Sequence, residues 1–288
     1  MAQSIANKTK FAGLALIGVS ALMSGCSRTN TSVQSVALAV EQPTPKPKPS
    51  PTPSPTARPK KPGIALYKIK TQQKVFALTF DDGPDPTYTP QVLKILQQKN
   101  ASATFFMVGK MVRAHAPTGN LVVQAGHPIG GHSWTHPLKT RSPVSEIQLT
   151  DAMIKQKLGV TPQLFRPPYG ILKNGLAREA SKRGEDVILW SSDSADYSKK
   201  SSSARIKANV MKNLAPGGIA LMHDGGGNRS ATVAALPGII DAIRNRGYKL
   251  VTVPELMNIG TPEQGTIPGV KRSDVAKKHA AKAKAKKP

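Results

Sequence analysis

One cysteine, Cys26, is all the sequence contains, which excludes an intrachain disulfide framework. Acidic residues are scarce: 16 Asp and Glu stand against 41 Lys and Arg, for a net charge of +25. That excess invites a nucleic-acid reading, but residues 63–270 hold only +11 of it and contain no nucleic-acid recognition motif. Much of the rest lies in residues 42–62, at +5, and in residues 271–288, at +7. No specific nucleic-acid partner is therefore expected. The apolar stretch near the start, Phe11 to Met23, spans 13 residues, short of the roughly 20 that a transmembrane helix requires. Histidine is also sparse, at six residues, so two of them at a ligand-like spacing carry weight.

The short apolar stretch follows a mildly basic start, Asn7 to Lys10, and ends in Met23-Ser24-Gly25-Cys26. This ending resembles the lipobox of bacterial lipoproteins, with Met where Leu is commoner. Residues 1–26 are thus expected to form a lipoprotein-type signal segment. Cys26 would be lipidated, anchoring the exported chain to a membrane of the bacterial cell envelope without spanning it. An ordinary cleaved signal peptide is the alternative, and it leads to the same export.

Residues 27–62 are expected to be a linker. Within it, 42–62 reads QPTPKPKPSPTPSPTARPKKP, and such dense proline opposes helix and sheet and favours extended polyproline II. At about 3.1 Å per residue this tract reaches roughly 65 Å. Residues 263–288 are expected to be a basic disordered tail, alanine- and lysine-rich from Lys271 with little to bury. Contact with an anionic polymer such as a wall glycan is one role for it, and plain solvation is the other.

Between these ends, in residues 63–262, apolar runs and helix-like stretches alternate. The runs are Val75–Thr79, Ala103–Met107, His127–Gly130, Gln163–Phe165, Asp186–Trp190, Gly218–Met222 and Tyr248–Val251. Helices are expected from Thr89 as N-cap with Pro90 at the first position, then near Lys110–Gln124, Val144–Leu158, Asn174–Arg183, Ala204–Asn213 and Ala231–Arg246. Seven parallel strands alternating with helices predict an α/β fold, a distorted (β/α) barrel, with a doubly wound open sheet as the alternative. A single monomeric domain is expected.

The polar clusters fall where the apolar runs end: Asp81-Asp82, then His132 and His136, Arg166, Asp193 and Asp196, and His223-Asp224. In a (β/α) barrel, strand C-termini open onto one face, where sites are assembled. His132 and His136, four residues apart, would share one face of a helical turn and could bind one metal. Two adjacent carboxylates, Asp81 and Asp82, would repel each other without a nearby cation. A divalent metal resolves that, with one carboxylate as ligand and the other as base. Two histidines and a carboxylate form a common zinc set.

Four motifs stand in one order: Thr79-Phe80-Asp81-Asp82-Gly83-Pro84, His132-Ser133-Trp134-Thr135-His136, Arg166-Pro167-Pro168-Tyr169-Gly170 and Leu221-Met222-His223-Asp224. Over about residues 66–260 the chain resembles the NodB-homology polysaccharide deacetylases, carbohydrate esterase family 4. The resemblance implies a zinc ion on Asp82, His132 and His136, Asp81 as base, and His223 as acid. It implies Arg166 as the partner of the catalytic aspartate, the Tyr169 backbone N–H as oxyanion donor, and Leu221 as lining for the acetyl methyl. In the fourth family motif, Asp193-Ser194-Ala195-Asp196, Tyr197 stands where tryptophan is usual. At least one of these aspartates should tune His223 or support Arg166, and Tyr197 should form a groove wall. Trp134 and Trp190 are candidates for sugar stacking, though core packing suits Trp190 better.

The expected activity is metal-dependent removal of N-acetyl groups from an N-acetylglucosamine-containing polysaccharide, peptidoglycan or another envelope glycan. Two alternatives remain: an O-deacetylase of the acetyl-xylan type, and a non-catalytic lipoprotein that binds anionic polymer.

Overall fold

The computed structural model describes residues 65–265, 267 and 268. The expected lipidation site Cys26, the linker 27–62 and the tail beyond 268 lie outside the described residues. No helix among the described residues is long and apolar enough to cross a membrane.

The described chain opens with β1 (Ala65–Lys70) and β2 (Val75–Asp81). All seven residues of β2 are buried, as expected of a strand covered on both faces. Its side chains alternate. Ala77 joins Val75, Phe106, Ile188 and Ile219 in an inner cluster, while Phe76, Leu78 and Phe80 face outward to the helices. Helix α1 (Tyr88–Gln98) covers that outer face with Val92, Leu93 and Leu96. Next come β3 (Ala103–Met107), α2 (Gly109–Ala114), α3 (Ala116–Gln124), β4 (Ile129–Gly131) and α4 (Pro143–Leu158). They are followed by β5 (Leu164–Phe165), α5 (Leu176–Lys182), β6 (Asp186–Ile188), β7 (Ser192–Asp193) and α6 (Ser203–Lys212). The last are β8 (Gly218–His223), α7 (Ser230–Asn245), β9 (Lys249–Leu250), α8 (Val253–Ile259) and β10 (Thr261–Gly265).

The sheet order is β10-β1-β6-β5-β4-β3-β2-β8-β7, with β9 also on β2. Neighbours are parallel except β1 with β10. Strands β2 to β6 follow one another without reversal, the winding of a barrel and not of a doubly wound sheet. Closure uses one bent segment. β6 pairs with β5 and β1, but Ser191 N–H already bonds Ile219 O, and β7 pairs with β8. The fold is a distorted (β/α) barrel in which 186–193 passes from one neighbour to another.

All seven expected strands are present, and β1, β7 and β10 are additional. The expected boundary at 262 falls inside β10, and Ile267 is buried against Phe165 and Val187, so the folded body runs past it. The expected helix 110–124 is two helices, because Pro117 cannot donate a backbone hydrogen bond and His115 leaves helical geometry at φ −129°. Helix α1 starts one residue before Thr89. The Asp85 carboxylate accepts the Thr87 and Tyr88 N–H groups, and the Thr89 hydroxyl donates to Asp224 instead of capping.

Candidate active site

The register of β2 on β8 pairs Asp81 with His223 at the C-terminal edge of the barrel. Both continue the inward-facing sets, Ala77-Thr79-Asp81 and Ile219-Leu221-His223, so alternation alone directs them into the barrel mouth. There they line a cleft of about 810 Å³ with Asp82, His132, His136, Tyr169, Asp193, Tyr197 and Leu221. Arg166 and Asp196 lie behind that lining, each bonded to a residue in it.

Asp82, His132 and His136 offer ligand atoms within 4.8 Å of one another. His132 Nε2 lies 3.5 Å and His136 Nε2 3.3 Å from Asp82 Oδ1. That oxygen is buried with no hydrogen-bond partner, which a cation would supply. His132 Nδ1 is 2.7 Å from Arg166 O, an arrangement that places the ring proton on Nδ1 and leaves the Nε2 lone pair free. Burial pushes His132 down to about 3, so it stays neutral, as a ligand must. The donor set fits a divalent cation.

The two histidines do not share a helical turn, contrary to the sequence expectation. Residues 132–136 form an irregular loop in which Ser133 (φ 66°) and His136 (φ 56°) are left-handed. Glu146 in the first turn of α4 holds this loop. Its carboxylate accepts Trp134 N–H (2.8 Å), Thr135 N–H (2.9 Å) and the Thr135 hydroxyl (2.7 Å). Six non-glycine residues have positive φ among the described residues, and five of them, Asp82, Ser133, His136, Tyr169 and Ala195, belong to the site loops. Such backbone costs about 1–3 kcal/mol per residue and gathers where surrounding contacts enforce it.

At the end of β2, Asp81 Oδ1 accepts from Arg166 Nη1 at 2.7 Å. Arg166 is fully buried and also donates to Thr79 Oγ1, Ile188 O and Leu189 O, with its guanidinium 4.1 Å from the Phe106 ring centroid. Burial raises the Asp81 pKa above the usual carboxylate value, and the charges of Arg166 and His223 offset only part of that rise. At the end of β8, His223 Nδ1 meets Asp196 Oδ1 at 2.6 Å, and Asp196 Oδ2 accepts His223 N–H and the Thr232 hydroxyl, each at 2.8 Å. Burial opposes charge on His223, but the Asp196 hydrogen bond and charge, with Asp81 and Asp82, outweigh it and raise the pKa.

Asp193 plays a different structural part. It accepts the Tyr197 hydroxyl at 3.1 Å and the Ala195 N–H at 2.7 Å. Tyr197 stands edge-on to His223 with ring centroids 5.7 Å apart, and the Tyr169 and His136 ring centroids are 4.6 Å apart. Leu221 is buried and lines the cleft, as does Trp190, which also packs on the inner cluster. Trp134 instead lies under the Arg113 guanidinium, against the start of α2. Sequence reasoning missed Glu146, Thr232 and Arg229. Only the Gly225-Gly226-Gly227 run before Arg229 gave any signal, a backbone built for close approach.

The sequence profile described as polysaccharide deacetylase matches residues 68–188. A peptidoglycan-N-acetylglucosamine deacetylase of Bacillus cereus is 38% identical over 200 residues, covering 68% of this chain and 93% of that protein. A peptidoglycan-N-acetylmuramic acid deacetylase of Bacillus subtilis is 37% identical over 209 residues, 70% of this chain and 43% of that protein. A crystal structure of a peptidoglycan N-acetylglucosamine deacetylase superposes with a TM-score of 0.64 at 30% identity, covering 69% of this chain and 95% of that one. With near-complete coverage of one such enzyme in sequence and of another in fold, the chain belongs to the polysaccharide deacetylases, carbohydrate esterase family 4.

Proposed function

We propose that the protein hydrolyses N-acetyl groups on N-acetylglucosamine residues of an envelope glycan, peptidoglycan foremost, with zinc as its metal. The observation that carries this reading is that the Asp82-His132-His136 triad shares one cleft with Asp81, paired to Arg166, and His223, paired to Asp196. A base and an acid beside one Lewis-acid site suit amide hydrolysis. The B. cereus relative supports the sugar by its name.

Held by Asp82, His132 and His136, the ion would acidify water and polarise the acetyl carbonyl. Asp81, paired with and oriented by Arg166, takes the proton from the attacking water. The Tyr169 backbone N–H stabilises the oxyanion. His223 delivers a proton from Nε2 to the departing amine, because Asp196 occupies its Nδ1. Acetate and a free glucosamine amine result. Leu221 and Trp190 close around the acetyl methyl, while Tyr169 and Tyr197 form opposite walls for the sugar.

Export, lipidation at Cys26 and the proline tract would place this cleft within reach of the cell wall. The tail beyond residue 268 would add electrostatic contact with anionic polymer, and the protein would act as a monomer. Acetate release by the purified protein from peptidoglycan, chitin oligomers and acetyl-xylan, with and without zinc, tests the reading. Zinc-dependent release from the first two supports it. Release from acetyl-xylan alone would make the enzyme an O-deacetylase, and no release from any would leave a binding protein.

A further inference from the structure

We propose that Arg229 is a positioning residue for the catalytic centre: its guanidinium fixes the Gly225-Gly226-Gly227 loop against Asp82 and ties that loop to Asp196. This rests on the deacetylase reading of the cleft. Arg229 is 7% exposed, and no carboxylate pairs with it among the described residues. It donates instead to backbone carbonyls, from Nε to Gly225 O at 2.6 Å, Nη2 to Gly226 O at 3.1 Å, and Nη1 to Asp196 O at 3.3 Å. Burying a cation is costly, so its place demands a physical reason.

The loop it grips lies directly on the expected metal ligand. A Cβ added to Gly225 would fall 2.5 Å from Asp82 O, and one added to Gly226 would fall 2.4 Å from Asp82 Oδ2. Asp82 has φ 73°, a conformation its own backbone does not favour. Contact with the glycine loop on the Oδ2 side therefore helps keep Oδ1 facing His132 and His136. The third bond reaches the segment whose Asp196 carboxylate holds His223. One side chain thus links the metal ligand to the acid. Lysine cannot replace it, because a single ammonium does not reproduce a planar fork that reaches three carbonyls.

The test compares wild type, Arg229→Lys and Arg229→Gln as full-length proteins. Zinc affinity is measured by competition with a chromogenic chelator, alongside steady-state acetate release and thermal unfolding. The expected result is zinc binding weaker by about 10–100-fold, the usual effect of losing an outer-sphere support. We also expect kcat lower by about 100-fold with KM little changed, as for a misplaced reacting group. A folded Arg229→Lys protein with wild-type zinc affinity and kcat overturns the proposal, since a merely structural arginine would change only the melting temperature. Should neither variant fold, Gly226→Ala tests the same contact with the arginine intact. Its methyl group must weaken zinc binding, and wild-type affinity there refutes the idea. If wild type releases no acetate from any glycan, the reaction assignment fails while the zinc measurement still decides the role of Arg229.

Discussion

Asp196→Asn isolates the acid half of the site with little change in shape. Asp196 Oδ2 accepts two donors, the His223 backbone N–H and the Thr232 hydroxyl, so the amide oxygen of asparagine must take that position. Its NH₂ group then faces His223 Nδ1, where the Oδ1 acceptor stood 2.6 Å away. An imidazole opposite an N–H donor must keep Nδ1 unprotonated. Burial, the largest influence on His223, then works against only the charges of Asp81 and Asp82, and the histidine pKa falls. The wild-type group is raised above 6.5, so an activity requiring its proton falls off on the alkaline side above that value. Losing general-acid assistance costs about 10²–10⁴-fold in kcat, or roughly 3–5 kcal/mol of barrier. The assay is kcat for acetate release against pH on zinc-saturated protein. Zinc affinity should remain near wild type, because Asp196 touches none of the three ligands. An Asp196→Asn enzyme within about fivefold of wild type, with the alkaline limb unmoved, would refute the acid assignment.

Asp193→Asn should act differently from its neighbour. It loosens the Tyr197 hydroxyl, so KM should rise a few-fold with kcat nearly unchanged, as read from steady-state kinetics on chitin oligomers. Glu146→Ala releases two backbone N–H groups and a hydroxyl from the ligand loop, and zinc affinity should drop by about 10–100-fold in chelator competition. Glu185→Gln concerns stability. Burial, with Asp151 nearby, raises Glu185 well above its usual 4.5, so the folded state holds a proton that the unfolded chain releases. The stabilising contribution is complete below about pH 4.5 and is lost as pH rises toward the folded value. The neutral glutamine should therefore raise the melting temperature more at pH 8 than at pH 4.5, and an equal shift at both would contradict this.

The seven strands that sequence patterning marks are buried runs with their own apolar signal. Two of the three strands it misses, β10 and β7, depend on partners instead. Thr261-Pro262-Glu263-Gln264-Gly265 has no strand character and becomes β10 because the edge of β1 offers it a ladder. Ser192-Asp193 is a strand only because the chain bends there toward β8. In the site, His132 and His136 come together through another conformation than their spacing suggests, since residue counting does not register a left-handed Ser133. Nor could sequence choose between Asp193 and Asp196. The choice is made by a hydrogen bond across 27 residues to His223, whose geometry exists only once β7 lies beside β8. Glu146, Thr232 and Arg229 escaped for the same reason: each is an ordinary helix-start or loop residue until folding sets it beside the cleft.

The segment that changes neighbours between β6 and β7 bears on how this enzyme can acquire new specificities. Trp190 occupies the handover, with one part of its ring in the barrel interior and another in the cleft. A mutation there alters the sugar-facing surface and the closure of the barrel together, so selection for a new glycan meets a folding defect at the same step. Tyr169 and Tyr197, exposed by 59% and 54%, are under no such double constraint. Directed evolution toward differently decorated glycans should accordingly collect substitutions at these two rim tyrosines while Trp190 stays fixed.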